Sequence, residues 1–186
     1  MVSQQPFFPG DLPLQTLFRN RYFIVSKVGA GGFGSVYKAR DIQSSNRLVA
    51  IKEVSLQGLQ PQAMIEATAT FQSEVSVLSQ LEHPNLPRVY ESFQTPGHWY
   101  LVMDFIAGET LEQYQSKTPN GCLLLSEVLD IGLQLCIVLD YLHSHQPPIV
   151  FRDLKPANVM RSSTGQIYLI DFGIARYFKP GQAKDT

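Results

Sequence analysis

The sequence has 186 residues, of which 44% are hydrophobic and 17% are charged, and its formal net charge at pH 7 is -1. This composition is typical of one ordinary globular domain or of two small lobes. A charge so close to neutral, without a run of Lys or Arg, excludes a general electrostatic attraction to nucleic acid or to an anionic membrane, so any phosphate chemistry must come from individually placed residues.

Strand patterns dominate the first half of the chain. Residues 1–20 mix Gln, Pro and Phe without periodicity and are interpreted as an N-terminal arm. β-Branched and aromatic residues then predict strands at 22–28, 35–40, 48–54, 86–93 and 99–105. The pattern predicts an antiparallel five-stranded sheet that carries one helix.

Two segments have helical periodicity. In the first, between Gln62 and Leu81, apolar residues recur at helical spacing until His83-Pro84-Asn85 ends the run. The second follows the sheet, and Ser126 is its expected N-cap. Its apolar stripe consists of Val128, Ile131, Leu135, Val138, Leu139 and Leu142. With two short strands predicted at 159–161 and 167–170, the whole pattern indicates an α+β fold.

A glycine cluster separates the first two predicted strands. Residues 29–36 read Gly-Ala-Gly-Gly-Phe-Gly-Ser-Val, which fits GxGxxGxV, a pattern whose backbone N–H groups can approach a polyphosphate. A simple turn is the alternative for such a cluster taken alone. A dinucleotide fingerprint requires a helix directly after the glycines, whereas a strand is predicted here. The context therefore favours a β-hairpin over phosphates.

The third predicted strand carries Val-Ala-Ile-Lys at residues 49–52. Lys52 could pair with the α- and β-phosphates of a nucleotide, although a strand lysine that only reaches solvent is commoner. Glu74 lies at the edge of the apolar face of the first helix and is its expected partner. Glu66 on the same helix competes for that role, but it lacks a comparable apolar frame.

The most specific segment is Phe-Arg-Asp-Leu-Lys-Pro-Ala-Asn at residues 151–158. It places Asp153 as a base, Lys155 as a cation and Asn158 as a metal ligand at the spacing of a kinase catalytic loop. Asp171-Phe172-Gly173 follows a short predicted hairpin and supplies a metal-binding carboxylate at a strand end. Each motif is weak alone, but all stand in one order and in the expected element.

On these motifs, the chain from about Tyr22 to its last residue resembles the protein kinase family, in its eukaryotic-like serine/threonine form. The resemblance implies a five-stranded N-lobe with one helix over residues 21–106. It also implies the first, mainly helical part of a C-lobe over residues 107–186. ATP and Mg²⁺ would be the cofactors, and protein Ser or Thr hydroxyls would be the acceptors.

The resemblance also assigns site residues. The expected catalytic residues are Asp153, Lys155, Lys52 and Glu74, and the expected magnesium ligands are Asn158 and Asp171. The expected nucleotide contacts are Gly29, Gly31, Gly34, Val36, Ala50, Lys52, Met103, Asp104, Ile106 and Met160. Within this set, Met103 resembles a gatekeeper, residues 104–106 resemble the hinge that binds adenine, and Met160 would close the pocket from below.

Two departures from the family pattern stand out. Phe151 replaces the usual histidine and is interpreted as a packing residue that an active enzyme tolerates. The chain also ends at Thr186, inside the expected activation segment, so a fragment of a full kinase or a half-kinase completed by another chain is expected. The alternative function is an ATP-binding module without phosphotransfer.

Two further features refine the resemblance. Lys155 favours Ser/Thr specificity. Residues 147–153 and 171–176 resemble bacterial members of the family.

The sequence also gives an expectation for the compartment. Cys122 and Cys136 are the only cysteines, and their spacing fits neither a disulfide framework nor a zinc site, so a reducing cytoplasm is expected. The first residues do not resemble a signal peptide, and no apolar stretch is long enough to span a bilayer. Whether a membrane anchor follows Thr186 in the full-length protein is a question that this sequence leaves open.

Overall fold

The structure, a computed structural model, describes residues 11–31, 34–172 and 176–177. The chain divides into two compact units. The first comprises Met1–Phe71 and Val89–Phe105, and the second comprises Gln72–Arg88 and Ile106–Thr186. None of the helices formed by the described residues is both long and apolar enough to cross a membrane.

The first unit is built on an antiparallel sheet in the order β1-β2-β3-β4-β6-β5. Its strands are β1 (Leu17–Phe18), β2 (Tyr22–Gly31), β3 (Gly34–Asp41), β4 (Arg47–Ser55), β5 (Val89–Thr95) and β6 (His98–Asp104). All five predicted strands are confirmed. The sixth, β1, comes from the segment interpreted as an arm, because Leu17 and Phe18 pair with Phe23 and Tyr22.

One face of this sheet forms the core of the first unit. Residues directly opposite each other on paired strands share a face, and side chains alternate along each strand. The buried set on this face is Tyr22, Ile24, Tyr37, Ala39, Val49, Ile51, Tyr100 and Val102. Leu12 and Phe18 cover it, and both are buried. The segment before β2 is therefore part of the core of the sheet.

The helix α1 (Pro61–Leu78) presents buried residues at spacings of three and four. These residues are Ala67, Phe71, Glu74, Val77 and Leu78. Phe71 packs against Trp99 of β6, with ring centroids 5.3 Å apart. The helix ends before the predicted Leu81, since Gln80 and Leu81 donate tightened i→i−3 bonds to Val77 and Leu78.

Besides the C-terminal part of α1, the described residues of the second unit form two α-helices and several short strands. They are β7 (Gly108–Thr110), α2 (Leu111–Ser116), α3 (Leu125–His143), β8 (Ile149–Val150), β9 (Val159–Ser162), β10 (Ile167–Leu169) and β11 (Arg176–Tyr177). Strands β10, β9 and β7 form one antiparallel sheet, and β11 pairs with β8. Gly165, with a φ of +86°, makes the turn of the predicted hairpin between β9 and β10.

The prediction that Ser126 caps α3 is wrong. The helix begins at Leu125 with Leu124 as its N-cap, so Ser126 lies inside the first turn. The carboxylate of Glu127 accepts a hydrogen bond from the Leu124 backbone N–H at 3.3 Å, which satisfies one orphan donor. In the predicted stripe of α3, Ile131, Val138 and Leu142 are buried, whereas Val128 is 49% exposed.

Candidate active site

Four of the expected nucleotide-contacting residues share the sheet face opposite the core. In the strand register, Val36 faces Lys52 and Ala50 faces Met103. Since Ala50 and Lys52 are two residues apart on β4, all four side chains project from the same face. The sequence predicted the motifs separately, and the antiparallel pairing of β3, β4 and β6 brings them together.

The three motif glycines differ in what their surroundings demand. A Cβ at Gly34 would lie 1.7 Å from the backbone oxygen of Glu53, so close approach of β3 to β4 requires glycine there. A Cβ at Gly29 would meet only Val36, at an ordinary 3.8 Å. Gly31 pairs with Gly34 at the end of the β2–β3 ladder. Fold geometry alone therefore explains Gly34 and leaves Gly29 available for another role.

The end of β6 carries the expected hinge residues. Asp104 Oδ1 accepts a hydrogen bond from the Tyr90 hydroxyl at 2.5 Å, which ties β6 to β5. The Lys38 ammonium lies 4.7 Å from the centroid of the Phe105 ring, a cation–π distance. Ile106, half-buried, is the first residue after this strand that belongs to the second unit.

The two candidate glutamates of α1 have different surroundings. Glu74 is buried, with 2% of its surface exposed. Glu66 is exposed, and its Oε1 accepts a hydrogen bond from Gln62 one turn earlier, at 2.9 Å. A buried carboxylate requires a partner, whereas an exposed one does not. Burial therefore favours Glu74 over Glu66 as the functional carboxylate of this helix.

In the second unit, Asp153 is the centre of a hydrogen-bonded cluster. Its Oδ2 accepts from the Lys155 ammonium at 2.8 Å and from the Asn158 amide nitrogen at 2.8 Å. The same amide nitrogen donates to the Asp153 backbone oxygen at 3.0 Å. Asn158 is buried, whereas the side chains of Asp153 and Lys155 are 33% and 52% exposed. The three predicted residues therefore converge on one carboxylate that solvent can reach.

The charges in this cluster stabilise each other. The hydrogen bond from Lys155, and after it that from Asn158, holds the pKa of Asp153 below its ordinary 3.8. The same Lys155–Asp153 bond raises the pKa of Lys155 above its ordinary 10.5, and the negative charge of Asp171 adds a smaller contribution. At neutral pH the loop therefore presents a carboxylate beside an ammonium.

A backbone hydrogen bond joins the cluster to the predicted metal carboxylate. The Ile170 N–H donates to the Asn158 backbone oxygen at 2.9 Å, and Asp171 follows Ile170 directly. Arg152 and Asp171 both have left-handed backbone conformations, with φ of 68° and 65°. Such conformations cost on the order of 1–3 kcal/mol each and concentrate at functional sites. Gly173, the last residue of the predicted motif, lies outside the described residues.

Phe151 packs as predicted for a structural residue. It is 2% exposed and meets Phe172 edge to face, with ring centroids 4.9 Å apart. The residue that departs from the family pattern and the residue after Asp171 therefore fix each other by aromatic packing. Met160 is half-buried on β9, paired with Tyr168 of β10 and Thr110 of β7.

Sequence reasoning missed Asn85 and Gln134, which hold β10 in place. The buried Asn85 amide donates to the backbone oxygen of Ile167 at 2.8 Å, and its backbone oxygen accepts from Leu169 at 3.0 Å. Gln134 Oε1 accepts from Asn85 at 3.2 Å and from the Ile167 N–H at 3.0 Å. These bonds position the strand that leads to Asp171. A polar residue within the apolar stripe of α3 was the available signal for Gln134.

Comparison with known proteins agrees with this geometry. The chain matches the protein kinase domain over residues 22–186. It belongs to the protein kinase family. Among similar proteins, a probable serine/threonine-protein kinase PknB of Lactococcus lactis is 36% identical over 160 residues, which cover 86% of this chain and 24% of the relative.

Two further bacterial kinases are similar. The serine/threonine-protein kinase PrkC of Bacillus subtilis is 38% identical over 155 residues, which are 83% of this chain and 23% of the relative. The serine/threonine-protein kinase PknA of a Nostoc strain is 35% identical over 167 residues, which are 88% and 29% respectively. The chain therefore spans about a quarter of the length of these kinases.

The protein kinase family implies the use of ATP and a divalent cation, and the residues present fit a magnesium ion. The amide nitrogen of Asn158 makes both of its hydrogen bonds to Asp153, so the amide oxygen is the atom that would bind a cation. Asp171 adds an exposed carboxylate. Oxygen ligands of this kind suit Mg²⁺, which keeps several waters and needs few protein ligands. In the described ranges, no group of three or more His, Cys, Asp or Glu could hold a metal.

Proposed function

We propose that this chain is the ATP-binding and catalytic-loop portion of a serine/threonine protein kinase, which transfers the γ-phosphoryl group of ATP to protein hydroxyls. The observation that carries the proposal is the cluster in which Lys155 and Asn158 converge on the Asp153 carboxylate. The backbone bond from Ile170 to Asn158 links this cluster to Asp171. A nucleotide site of another kind would not need a base, a cation and a metal ligand on one loop.

Each residue of the cluster has a chemical role in this proposal. Asp153, held ionised by Lys155, orients the acceptor hydroxyl and accepts its proton. Lys155 offsets negative charge on the phosphoryl group as it is transferred, and this stabilises the transition state electrostatically. Asn158 and Asp171 would hold magnesium, which would neutralise phosphate charge. Positioning and charge stabilisation account for most of the catalysis in such sites.

The first unit supplies the nucleotide contacts. Lys52, paired with Glu74 in this proposal, holds the α- and β-phosphates, and the backbone at Gly29, Gly31 and Gly34 lies over them. The adenine contacts are Val36, Ala50, Met103, Asp104, Ile106 and Met160. The sharing of one sheet face by Val36, Ala50, Lys52 and Met103 supports this part of the proposal.

The specificity, lobe boundaries and compartment belong to the proposal as well. Lys155 in Asp-Leu-Lys-Pro and the names of the relatives support Ser/Thr acceptors. The proposed lobes are residues 21–106 and 107–186 after an arm of residues 1–20. Free, exposed Cys122 and Cys136 support a reducing cytoplasm. Proteins with Ser or Thr hydroxyls are the proposed partners, and nucleic acid is not.

The alternative is an ATP-binding module without phosphotransfer. The complete set of Lys52, Glu74, Asp153, Asn158 and Asp171 argues against it, since a module that only binds has no need of a base. A phosphotransfer assay separates the two functions: both bind Mg-ATP, but only the kinase labels a generic protein substrate from γ-labelled ATP.

The first test is the thermal midpoint of the chain with ATP and magnesium, compared with ATP and a chelator. Binding to the folded state must raise the midpoint, and the rise should depend on magnesium. Lys52→Ala and Asp171→Ala should each remove most of the rise, whereas Lys117→Ala, at an exposed ion pair with Glu109, should keep it. If Mg-ATP does not change the thermal midpoint of the wild-type chain, the proposal is refuted. Unchanged turnover in Asp171→Ala would refute the metal assignment.

A further inference from the structure

The segment before β2 makes a cluster of polar contacts with the two strands that carry the glycines. Both carboxylate oxygens of Asp11 accept hydrogen bonds from the Lys27 ammonium at 2.8 Å. Asp11 Oδ1 also accepts from Ser35 Oγ at 3.2 Å and from the Tyr37 hydroxyl at 3.1 Å. Lys27 belongs to β2, and the other two partners belong to β3. One carboxylate therefore bridges both strands of the hairpin.

The position of these contacts along the hairpin is specific. Lys27 precedes Gly29 by two residues, and Ser35 directly follows Gly34. Asp11 therefore binds β2 just before the first glycine of the motif and β3 just after the last one. Its partners project from the core face of the sheet, since Tyr37 lies in the core and pairs with Ile51. Val36 and Lys52 project from the opposite face, so Asp11 does not belong to the candidate nucleotide face.

The segment that carries Asp11 is itself well anchored. Leu12 is 2% exposed, and its backbone N–H donates to the Tyr37 hydroxyl at 3.0 Å. Phe18 packs against Tyr100, with ring centroids 5.0 Å apart. Backbone bonds of 2.9 Å join Gln15 and Thr16 to Ile24 of β2. Because residues 12–18 are fixed by burial and pairing, Asp11 reaches the hairpin with little further loss of chain entropy.

The Tyr37 hydroxyl extends the contact to the strand of Lys52. It lies 3.1 Å from Oε2 of Glu53, the residue after Lys52, and Glu53 is 3% exposed. A hydroxyl has one hydrogen to donate, so Tyr37 serves either Asp11 or Glu53 at any moment while accepting from Leu12. Tyr37 thereby couples the N-terminal segment to β3 and β4, in addition to the bond from Asp11 to Lys27 of β2.

We propose that residues 11–18 form a strap, with Asp11 as a positioning residue, that holds the glycine-bearing β2–β3 hairpin in the geometry that binds nucleotide phosphates. The proposal rests on the proposed function for its ligand, and on the Asp11 contacts for its mechanism. Without the carboxylate, the Lys27 end and the Ser35 end of the hairpin lose their common anchor. The phosphate contacts should then weaken more than the adenine contacts, because Val36 is the one proposed adenine contact that lies on the hairpin.

The test compares Asp11→Ala with wild type and with Glu109→Ala, which removes another Lys–carboxylate ion pair, in the second unit. Hydrogen–deuterium exchange without ligand should rise in peptides covering residues 26–37 and stay unchanged in those covering 89–104. Lys27→Met, which removes the β2 partner, should give the same signature. Unchanged exchange in residues 26–37 would refute the strap, whatever the outcome for ATP.

Equilibrium titration then tests the role in binding. For Asp11→Ala, the Kd for Mg-ATP should rise about two- to fivefold, the effect of an exposed ion pair, and the Kd for adenosine should rise less. Asp11→Asn, which keeps acceptors for Ser35 and Tyr37, should lie in between. Equal losses for ATP and adenosine, or no loss of ATP affinity, would refute positioning. If the wild-type chain binds no Mg-ATP, the proposed function is refuted instead. The hydrogen–deuterium exchange experiment would still test whether residues 11–18 act as a strap.

Discussion

The glycine-bearing sheet and the catalytic loop hold their candidate functional residues in different ways. In the sheet, Val36 and Lys52 share a face because regular pairing aligns them, and backbone bonds fix the alignment. In the loop, Asp153 is positioned by side chains that belong to the same candidate chemistry, Lys155 and Asn158. A side-chain change in the sheet that leaves the pairing intact should therefore stay local, whereas a change in the loop that removes these hydrogen bonds should disturb function and structure together.

The largest expected effect comes from the centre of the loop. Asp153→Asn keeps an oxygen that can accept from Lys155 and Asn158, so the loop geometry should persist while the proton acceptor is lost. Phosphotransfer should fall by about 10²–10⁴-fold, the usual contribution of a general base, with Mg-ATP affinity retained. Steady-state rates and an ATP titration would measure both.

Glu109→Gln serves as the control for this change, because it alters a partly exposed carboxylate on β7, outside the cluster. A rate for Asp153→Asn within a fewfold of wild type would remove Asp153 from the proposed chemistry. Loss of ATP affinity in the same variant would show that the loop is held more weakly than its hydrogen bonds indicate.

The next effect tests whether backbone pairing governs the sheet. Gly34→Ala places a Cβ 1.7 Å from the Glu53 oxygen, so β3 and β4 must separate, at a cost of about 1–3 kcal/mol or more in unfolding free energy. Gly29→Ala is the matched control, since its Cβ meets Val36 at 3.8 Å. Urea unfolding of both variants would show the difference. Equal stability of the two would mean that the strands adjust freely.

A third prediction concerns the support of the loop from outside the motif. Asn85→Ala removes the amide that donates to Ile167 and Gln134, and leaves a buried carbonyl of β10 without that donor. The unfolding free energy should fall by about 1–3 kcal/mol. Phosphotransfer should fall more than ATP affinity, because β10 leads to Asp171. Gln80→Ala, on an exposed turn, is the control, and a loss of stability as large in this control would contradict the assignment.

The predictability of the sheet and of the site differed for physical reasons. Alternation of β-branched and aromatic residues suffices to predict the strands, because burial of one face imposes a period of two. Strand β1 consists of only two residues, too few to show an alternating pattern, so it was not predicted. The N-cap was misplaced because Glu127 satisfies the Leu124 N–H and the helix can start before Ser126.

Residues whose roles depend on distant partners carried the weakest signals. Asp153, Lys155 and Asn158 lie within six residues, so their spacing alone predicted that they share one loop. Asp11 and Tyr37 meet across 26 positions, and Asn85 and Ile167 across 82, which no local pattern encodes. Glu53 offered one indirect signal, a charge at a position where the alternation of Val49 and Ile51 requires an apolar side chain.

The smallest expected effect comes from this buried Glu53 on the core face of the sheet. Burial raises its pKa above the ordinary 4.5, although Tyr100 and Tyr37 donate to its oxygens at 2.9 and 3.1 Å. The native state therefore binds this proton more tightly than the unfolded state does. The contribution of Glu53 to stability should fall as the pH rises from about 4.5 through the raised native pKa.

Glu53→Gln removes this titration and keeps an oxygen that can accept from Tyr100, so its stability relative to wild type should increase with pH and then level off. Urea midpoints of both proteins from pH 4.5 to 8 would measure the difference. His98 Nε2 lies 3.9 Å from Glu53 Oε1, so the comparison is repeated in a His98→Asn background. A difference that is constant across pH would show that Glu53 is ionised throughout, with its tyrosine bonds outweighing burial.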